Sequence, residues 1–295
     1  MAYWLTHLLQ DALIQLGQLN VSTVTTGSTV ALADTKQTGQ HSDDDWKNGS
    51  VFMVRTTDNE APADQYSLCT GYTDSTGSFT TTWTAAPGVG DTFGFASDYY
   101  PLYQMIQLAN QGIAALGMIS LVNDGIDTEA NRTEYEVNVQ CKPSGPMAVY
   151  IQGYTGDSND NRYVPVYGWE YLPAIPGAAG TLVFSDQPIV DRKVKIVYEG
   201  YHDSLTAYSS IISETIAPEL AMWSLVVHAL RWQLARSGGE EGGLIQQLND
   251  ANAQLELAKV RWPIWQARRK SKLLTLYGFD YDKNSIDAPD AGVRT

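Results

Sequence analysis

Apolar residues recur at helical spacing from the first turn of the chain. Trp4, Leu5, Leu8, Leu9, Ala12, Leu13 and Leu16 share one face, and Gly17 supplies a stop. This predicts an amphipathic helix over Tyr3–Leu16. The period then changes. Residues 21–97 are rich in Thr, Ser, Gly and Asp, and VSTVTTGSTVALAD, GSVFMVRTTD, QYSLCTGYTD, GSFTTTWTAA and GDTFGFAS read as short strands joined by turns. A lone hairpin of such strands buries too little surface, so they predict a small barrel or sandwich. Leu102, Met105, Ile106, Ala109, Ile113 and Leu116 mark a second helix ending near Gly117. Strand texture resumes over residues 119–202 in EYEVNV, MAVYIQG, RYVPVYGWEYLP, GTLVFS and RKVKIVYEGY, with Thr181–Tyr201 read as a closing hairpin around DQPIVD.

From Leu205 the pattern is helical. Leu220, Trp223, Val226, Val227, Leu230 and Leu234 mark one buried face, and SGGEEGG at 237–243 is the loop. Leu244, Leu248, Ala251, Leu255, Ala258, Trp262 and Trp265 mark the partner face. Pro263 removes a backbone donor, so a kink or break is expected there. The fold class expected is α+β: small β-barrel or sandwich modules, amphipathic helices and a long C-terminal helical hairpin. The segments are 1–20 (first helix), 21–97 (first β module), 98–118 (linking helix), 119–204 (second β module), 205–276 (helical hairpin) and 277–295 (extended tail).

Composition narrows the function classes. A hydrophobic share of 43% is that of an ordinary globular chain, which excludes wholesale disorder. The start lacks a basic region before its apolar positions and reads as a helix rather than a signal peptide, so a protein made in the cytoplasm is expected. Cys69 and Cys141 match no metal or redox spacing and are expected to be reduced. Charge is unevenly distributed: residues 1–160 hold 18 acids and 5 bases, whereas 161–295 hold 15 acids and 14 bases. Such polarity favours a part that docks against other parts.

The motifs of chemistry are weak. His7, His41, His202 and His228 have no paired spacing. Asp43, Asp44 and Asp45 have the chemistry to ligate a hard cation, but a solvated loop with Asx turns is the better account of them. GDSNDNRY opens like a Ca²⁺ loop and then fails, with Arg162 where Gly is needed and Gly168 where Glu is needed. Gly88, Gly90 and Gly94 open no helix, so no dinucleotide site follows. Neither an enzyme nor a bound cofactor or metal is expected.

The segment Lys259–Lys272 is the sharpest feature. Lys259, Arg261, Arg268, Arg269, Lys270 and Lys272 carry six positive charges with no acid among them, and Trp262 and Trp265 are interleaved. Helix-dipole preference accounts for one or two such charges. Aromatic residues and Arg are favoured contact types at protein interfaces, and base stacking on Trp is the nucleic-acid counterpart. The apolar face of the same helix favours protein docking.

The order of these textures resembles the neck proteins of tailed bacteriophages, the head–tail connector or adaptor class. The stretches that carry the likeness are LTHLLQDALIQLG followed by TVTTGSTVALADT, then DDDWKNGSVFMVR and GDTFGF, and later GTLVFSDQPIVDRKVKIVYEGYHDSL leading into IAPELAMWSLVVHALRWQLA. The resemblance implies a structural virion protein that forms a homo-oligomeric ring between portal and tail, with DNA passing non-specifically and no membrane involved. It assigns residues 205–276 to ring-forming helices. Lys259, Arg261, Trp262, Trp265, Arg268, Arg269, Lys270 and Lys272 become the portal-docking surface. Two alternatives are carried: another phage virion protein (minor tail, decoration or receptor- and glycan-binding, with YVPVYGWEYLP as its surface), and an unrecognised cytoplasmic enzyme.

Overall fold

A computed structural model describes residues 2–58, 60–139, 141, 145–153, 162–173, 179–238 and 241–264, with the backbone of 272–274 and 280–282. In chain order the elements begin with α1 (Leu5–Gln15), β1 (Asn20–Thr23), β2 (Thr26–Ser28), β3 (Ala31–Ala33), β4 (Ser50–Arg55) and β5 (Tyr66–Leu68). Then come β6 (Gly71–Thr73), β7 (Ser78–Thr80), β8 (Thr92–Ala96), α2 (Leu102–Ala115), β9 (Ile119–Asp127) and β10 (Glu134–Val137). They continue with β11 (Ala148–Gln152), β12 (Tyr163–Val166), β13 (Trp169–Leu172), β14 (Gly180–Phe184) and β15 (Lys193–Gly200). The last are α3 (Pro218–Arg236), α4 (Gly242–Arg261), β16 (Lys272–Leu274) and β17 (Asp280–Asp282). The class is α+β with antiparallel pairing throughout the described strands, and no sheet among them closes into a barrel.

The chain divides into two compact units. Met1–Gly117 and His202–Ile264 form the first, and the second is built on Met118–Tyr201. In the first unit, sheet β1-β8-β4-β5 and sheet β2-β3-β7-β6 share one core. Alternation places Val51, Met53, Phe93 and Phe95 inward from one sheet, and Leu32, Tyr72 and Phe79 inward from the other. Phe79 meets Phe93 and Phe95 at ring-centroid distances of 5.5 and 5.0 Å, which joins the layers. The barrel expectation fails because short strands end in turns before their edges can meet: β2, β3, β5, β6 and β7 are three residues each. Buried Asp91 fastens the loop after β4 to the turn before β8, its carboxylate accepting from the Thr57 and Gly88 backbone N–H groups and from the Thr57 hydroxyl.

The helices of this unit pack around α3. Leu220, Ala221, Leu225, Val226, Val227, Ala229 and Leu230 are buried on several of its sides, against α1, α2 and α4. At Gly112 of α2 a Cβ would lie 3.2 Å from the backbone of Ser224 and Leu225, and the Ser224 hydroxyl donates to the Gly112 carbonyl at 2.8 Å. A side chain there would have to push the two backbones apart, so glycine suits the close approach. α1 uses the apolar face read from its period, with Leu5, Leu8, Leu9, Ala12 and Leu13 buried, and Gly17 at φ +66° ends it. The helical hairpin expected from residue 205 begins at Pro218. Residues 205–217 are turns and extended chain, held by Asn110, which exchanges hydrogen bonds with the Leu205 N–H and carbonyl at 2.7 and 2.9 Å. The Ser- and Thr-rich segment has no apolar period before Leu220. α4 stops at Arg261, two residues before Pro263, as a missing donor requires.

In the second unit, sheet β10-β14-β13 and sheet β12-β11-β15-β9 share a core of Tyr135, Val137, Val149, Leu182, Phe184, Val194 and Ile196. The hairpin read around DQPIVD is not one. β14 pairs with β10 and β13, whereas β15 pairs with β11 and β9, so the connection crosses between layers. A period of two identifies a strand and its inner face but not its neighbour.

Two substitutions test this packing. Asp91→Ala strands two backbone donors and is expected to lower unfolding stability by about 2–3 kcal/mol. Gly112→Val is expected to cost a similar amount, about 2–3 kcal/mol, by forcing α2 from α3. Urea unfolding followed by tryptophan fluorescence measures both, and a change below about 0.5 kcal/mol in either contradicts the corresponding contact.

Candidate functional site

The described part of the basic segment lies where α4 ends beside the start of α3. An antiparallel helix pair with a short loop brings the last turn of one helix to the first turn of the other. Glu219, in the first turn of α3, there accepts from the Arg261 guanidinium at 2.8 Å and from the Trp262 indole N–H at 2.6 Å, one bond to each carboxylate oxygen. Lys259 is paired with Glu256 at 2.8 Å. The charges also suit the helix dipoles, with an acid at the N-terminal turn of α3 and Lys259 and Arg261 in the last turn of α4. Of the eight residues expected to dock, Lys259, Arg261 and Trp262 are described with their side chains, and Arg261 and Trp262 are brought together on one carboxylate. Trp265, Arg268, Arg269 and Lys270 lie outside the described residues, and Lys272 is described only as backbone in β16, paired with Asp282.

α4 uses one face only. Leu244, Ala251, Leu255 and Ala258 are buried, and Leu257 and Val260 on the opposite side are 56% and 82% exposed. Trp262 falls on the packed stripe by period, yet it is 48% exposed because the helix ends at Arg261. The end of α4 thus carries two features, exposed Leu257 and Val260 on the side away from α3, and Arg261 and Trp262 gathered on Glu219. Reasoning from sequence missed Glu219 as the organiser. The signal was available in the hairpin arithmetic, which sets the start of α3 opposite the end of α4.

The other chemistry-bearing residues are locally engaged. His7 contacts Asp64 at 3.1 Å, and its other ring nitrogen accepts from the Trp4 N–H. His41 meets the Gln37 amide oxygen. His202 accepts from the Ser213 N–H at 2.9 Å, and its second nitrogen meets the Asp203 carbonyl. His228 contacts the Ser224 carbonyl one turn earlier in α3. The carboxylates of Asp43, Asp44 and Asp45 accept from the Asp74, Tyr72 and Ser42 backbone N–H groups, and Asp44 also from Lys47. These bonds, led by the one from Lys47, hold the Asp44 carboxyl below its ordinary range. Among the described residues no group of three or more His, Cys, Asp or Glu side chains converges as metal ligands. No helix among them is long and apolar enough to cross a membrane.

In the second unit a groove of about 450 Å³ opens beside β12, lined by Ile151, Val164, Val166, Phe184, Ile189 and Asp186 among others. The aromatic strand expected to present a glycan surface turns two of its rings elsewhere. Trp169 and Tyr171 pack against the core, and the Trp169 indole donates to the Val166 carbonyl. No protein-family model matches the chain, and no curated protein matches it either.

Both thiols are free, Cys69 buried and Cys141 partly so. Burial pushes the Cys69 thiol up to about 11 and the Tyr66 phenol up to about 12. Each is neutral when protonated, so the folded state keeps protons that the unfolded chain releases. The thiol's contribution is fully present below its ordinary value of 9.0 and is lost as pH rises through about 11. The urea midpoint is expected to fall between these values, and to fall less in Cys69→Ala. An identical fall in wild type and variant contradicts the thiol's share.

Proposed function

We propose that this protein is a structural, non-catalytic component of a tailed-phage virion, a head–tail connector or adaptor. It forms a homo-oligomeric ring that bridges portal and tail and lets DNA pass. It is made in the host cytoplasm and resides in the neck of the particle. The observation that carries the reading is the one-sided packing of α4. This helix is buried along one stripe, while its opposite side presents Leu257 and Val260, and its end presents half-exposed Trp262 with Arg261 on Glu219. Exposed apolar side chains, an aromatic residue and Arg are residue types favoured at protein contact surfaces. The resemblance in order of textures supplies the neck assignment. A closed ring needs one heterologous interface repeated about an axis, and a chain with an acidic first half and a basic C-terminal segment offers unlike surfaces for it. An acidic channel wall would also keep passing DNA from adhering.

The purified chain is expected to form a ring alone or on its cognate portal protein, seen as an oligomeric mass in light scattering and as rings in negative stain. A stable monomer without affinity for portal contradicts the reading. Reversing Arg268, Arg269 and Lys270 to Glu is expected to leave the fold intact by circular dichroism and to abolish docking. Head-to-tail assembly of particles carrying the triple change contradicts the role given to the basic segment.

A further inference from the structure

Glu219 holds two residues of the docking surface at once. Its carboxylate takes the Arg261 guanidinium and the Trp262 indole N–H at 2.8 and 2.6 Å, the donor set that an incoming acidic side chain would seek. Resting on the docking role proposed above, we infer that Glu219 is a built-in competitor, and that an acidic protein surface docks at the end of α4 by taking its place.

Three features make the exchange feasible. The ion pair is accessible, with the Arg261 and Glu219 side chains 61% and 33% exposed. Arg261 has five N–H donors, and a single one is committed among the described hydrogen bonds, so an incoming carboxylate finds a foothold before Glu219 leaves. Exposed ion pairs contribute little net stability, which keeps displacement easy. The arrangement is also selective. Two donors are matched by two acceptor oxygens of one group, which favours a carboxylate over a neutral surface. Displacement frees the indole of Trp262, itself 48% exposed, so polar exchange and burial of an aromatic ring occur at one place. Glu219 also supports the dipole of α3, but that role would be filled by any acid in the turn and does not require the Trp262 bond.

The experiment uses the full chain, ¹⁵N-labelled, with the Trp262 indole resonance assigned through Trp262→Phe. Wild type, Glu219→Gln and Glu214→Gln are titrated with an oligoglutamate peptide and, separately, with a short DNA duplex. Glu214→Gln removes the same charge without touching Arg261 or Trp262. The expected result is oligoglutamate binding at the Trp262 resonance, about fivefold tighter in Glu219→Gln than in wild type and unchanged in Glu214→Gln. Equal affinity in wild type and Glu219→Gln, with binding present, overturns the competitor while the docking surface stands. Equal tightening in both variants reduces the effect to net charge and also overturns it. Tighter binding of DNA instead of oligoglutamate overturns the acidic-protein occupant. If the Trp262 resonance moves in Glu219→Gln but no form binds oligoglutamate, the docking role fails and Glu219 is a staple of the helix pair.

Discussion

Burial of α3 on several sides is the constraint on which the first unit depends. A helix packed by α1, α2 and α4 needs apolar or small residues around most of its circumference, and Leu220, Ala221, Ser224, Leu225, Val226, Ala229 and Leu230 meet that need. The demand of close packing falls on α2, where Gly112 leaves room for the Ser224–Leu225 backbone and its carbonyl is satisfied by the Ser224 hydroxyl. Because α3 takes the central place, α4 is an outer layer packed mainly on that one helix. Its free face and its terminus are therefore surface, and the candidate docking residues occupy a position set by the core.

The legible parts of the fold were those with a strong period. α1 and α2 lie where the apolar spacing put them, and α4 stops where Pro263 demanded. Partnership was not legible. The residues around DQPIVD read as a hairpin because two strand patterns flank a turn-rich stretch, yet β14 and β15 belong to opposite layers. Nothing in a period of two names the neighbouring strand. Trp169 and Tyr171 misled in a related way. Aromatic density in a strand suits a binding face or a core face equally, and the difference rests on the second sheet, which is distant in sequence.

The candidate site was half legible for a similar reason. Lys259, Arg261 and Trp262 stood out by charge and residue type, but the shared partner of Arg261 and Trp262 is 42 residues from the first and 43 from the second. Glu219 looks like an ordinary first-turn acid after Pro218, and only the antiparallel return of α4 gives it a second role. The acidic first half carries a parallel lesson. Asp34 and Asp91 are buried acceptors that fasten turns, and Asp43, Asp44 and Asp45 accept from backbone donors of their own loop and its neighbour. Part of the negative charge is thus a structural consequence of building short strands with tight turns. It cannot all be read as a field evolved for a partner.

That division bears on how α4 would hold a neighbour. Where Lys259 and Arg261 already have carboxylate partners, a new ion pair replaces an existing one, and the net effect is the difference between two similar interactions. Leu257 and Val260 face no such exchange, since covering them removes apolar surface from water without breaking an internal bond. In the docking proposed for α4, affinity would come chiefly from covering the apolar pair, while Lys259 and Arg261 would govern register and the choice of partner. A surface organised this way tolerates changes in ionic strength better than a bare basic patch, because salt weakens the incoming ion pair and the displaced one alike.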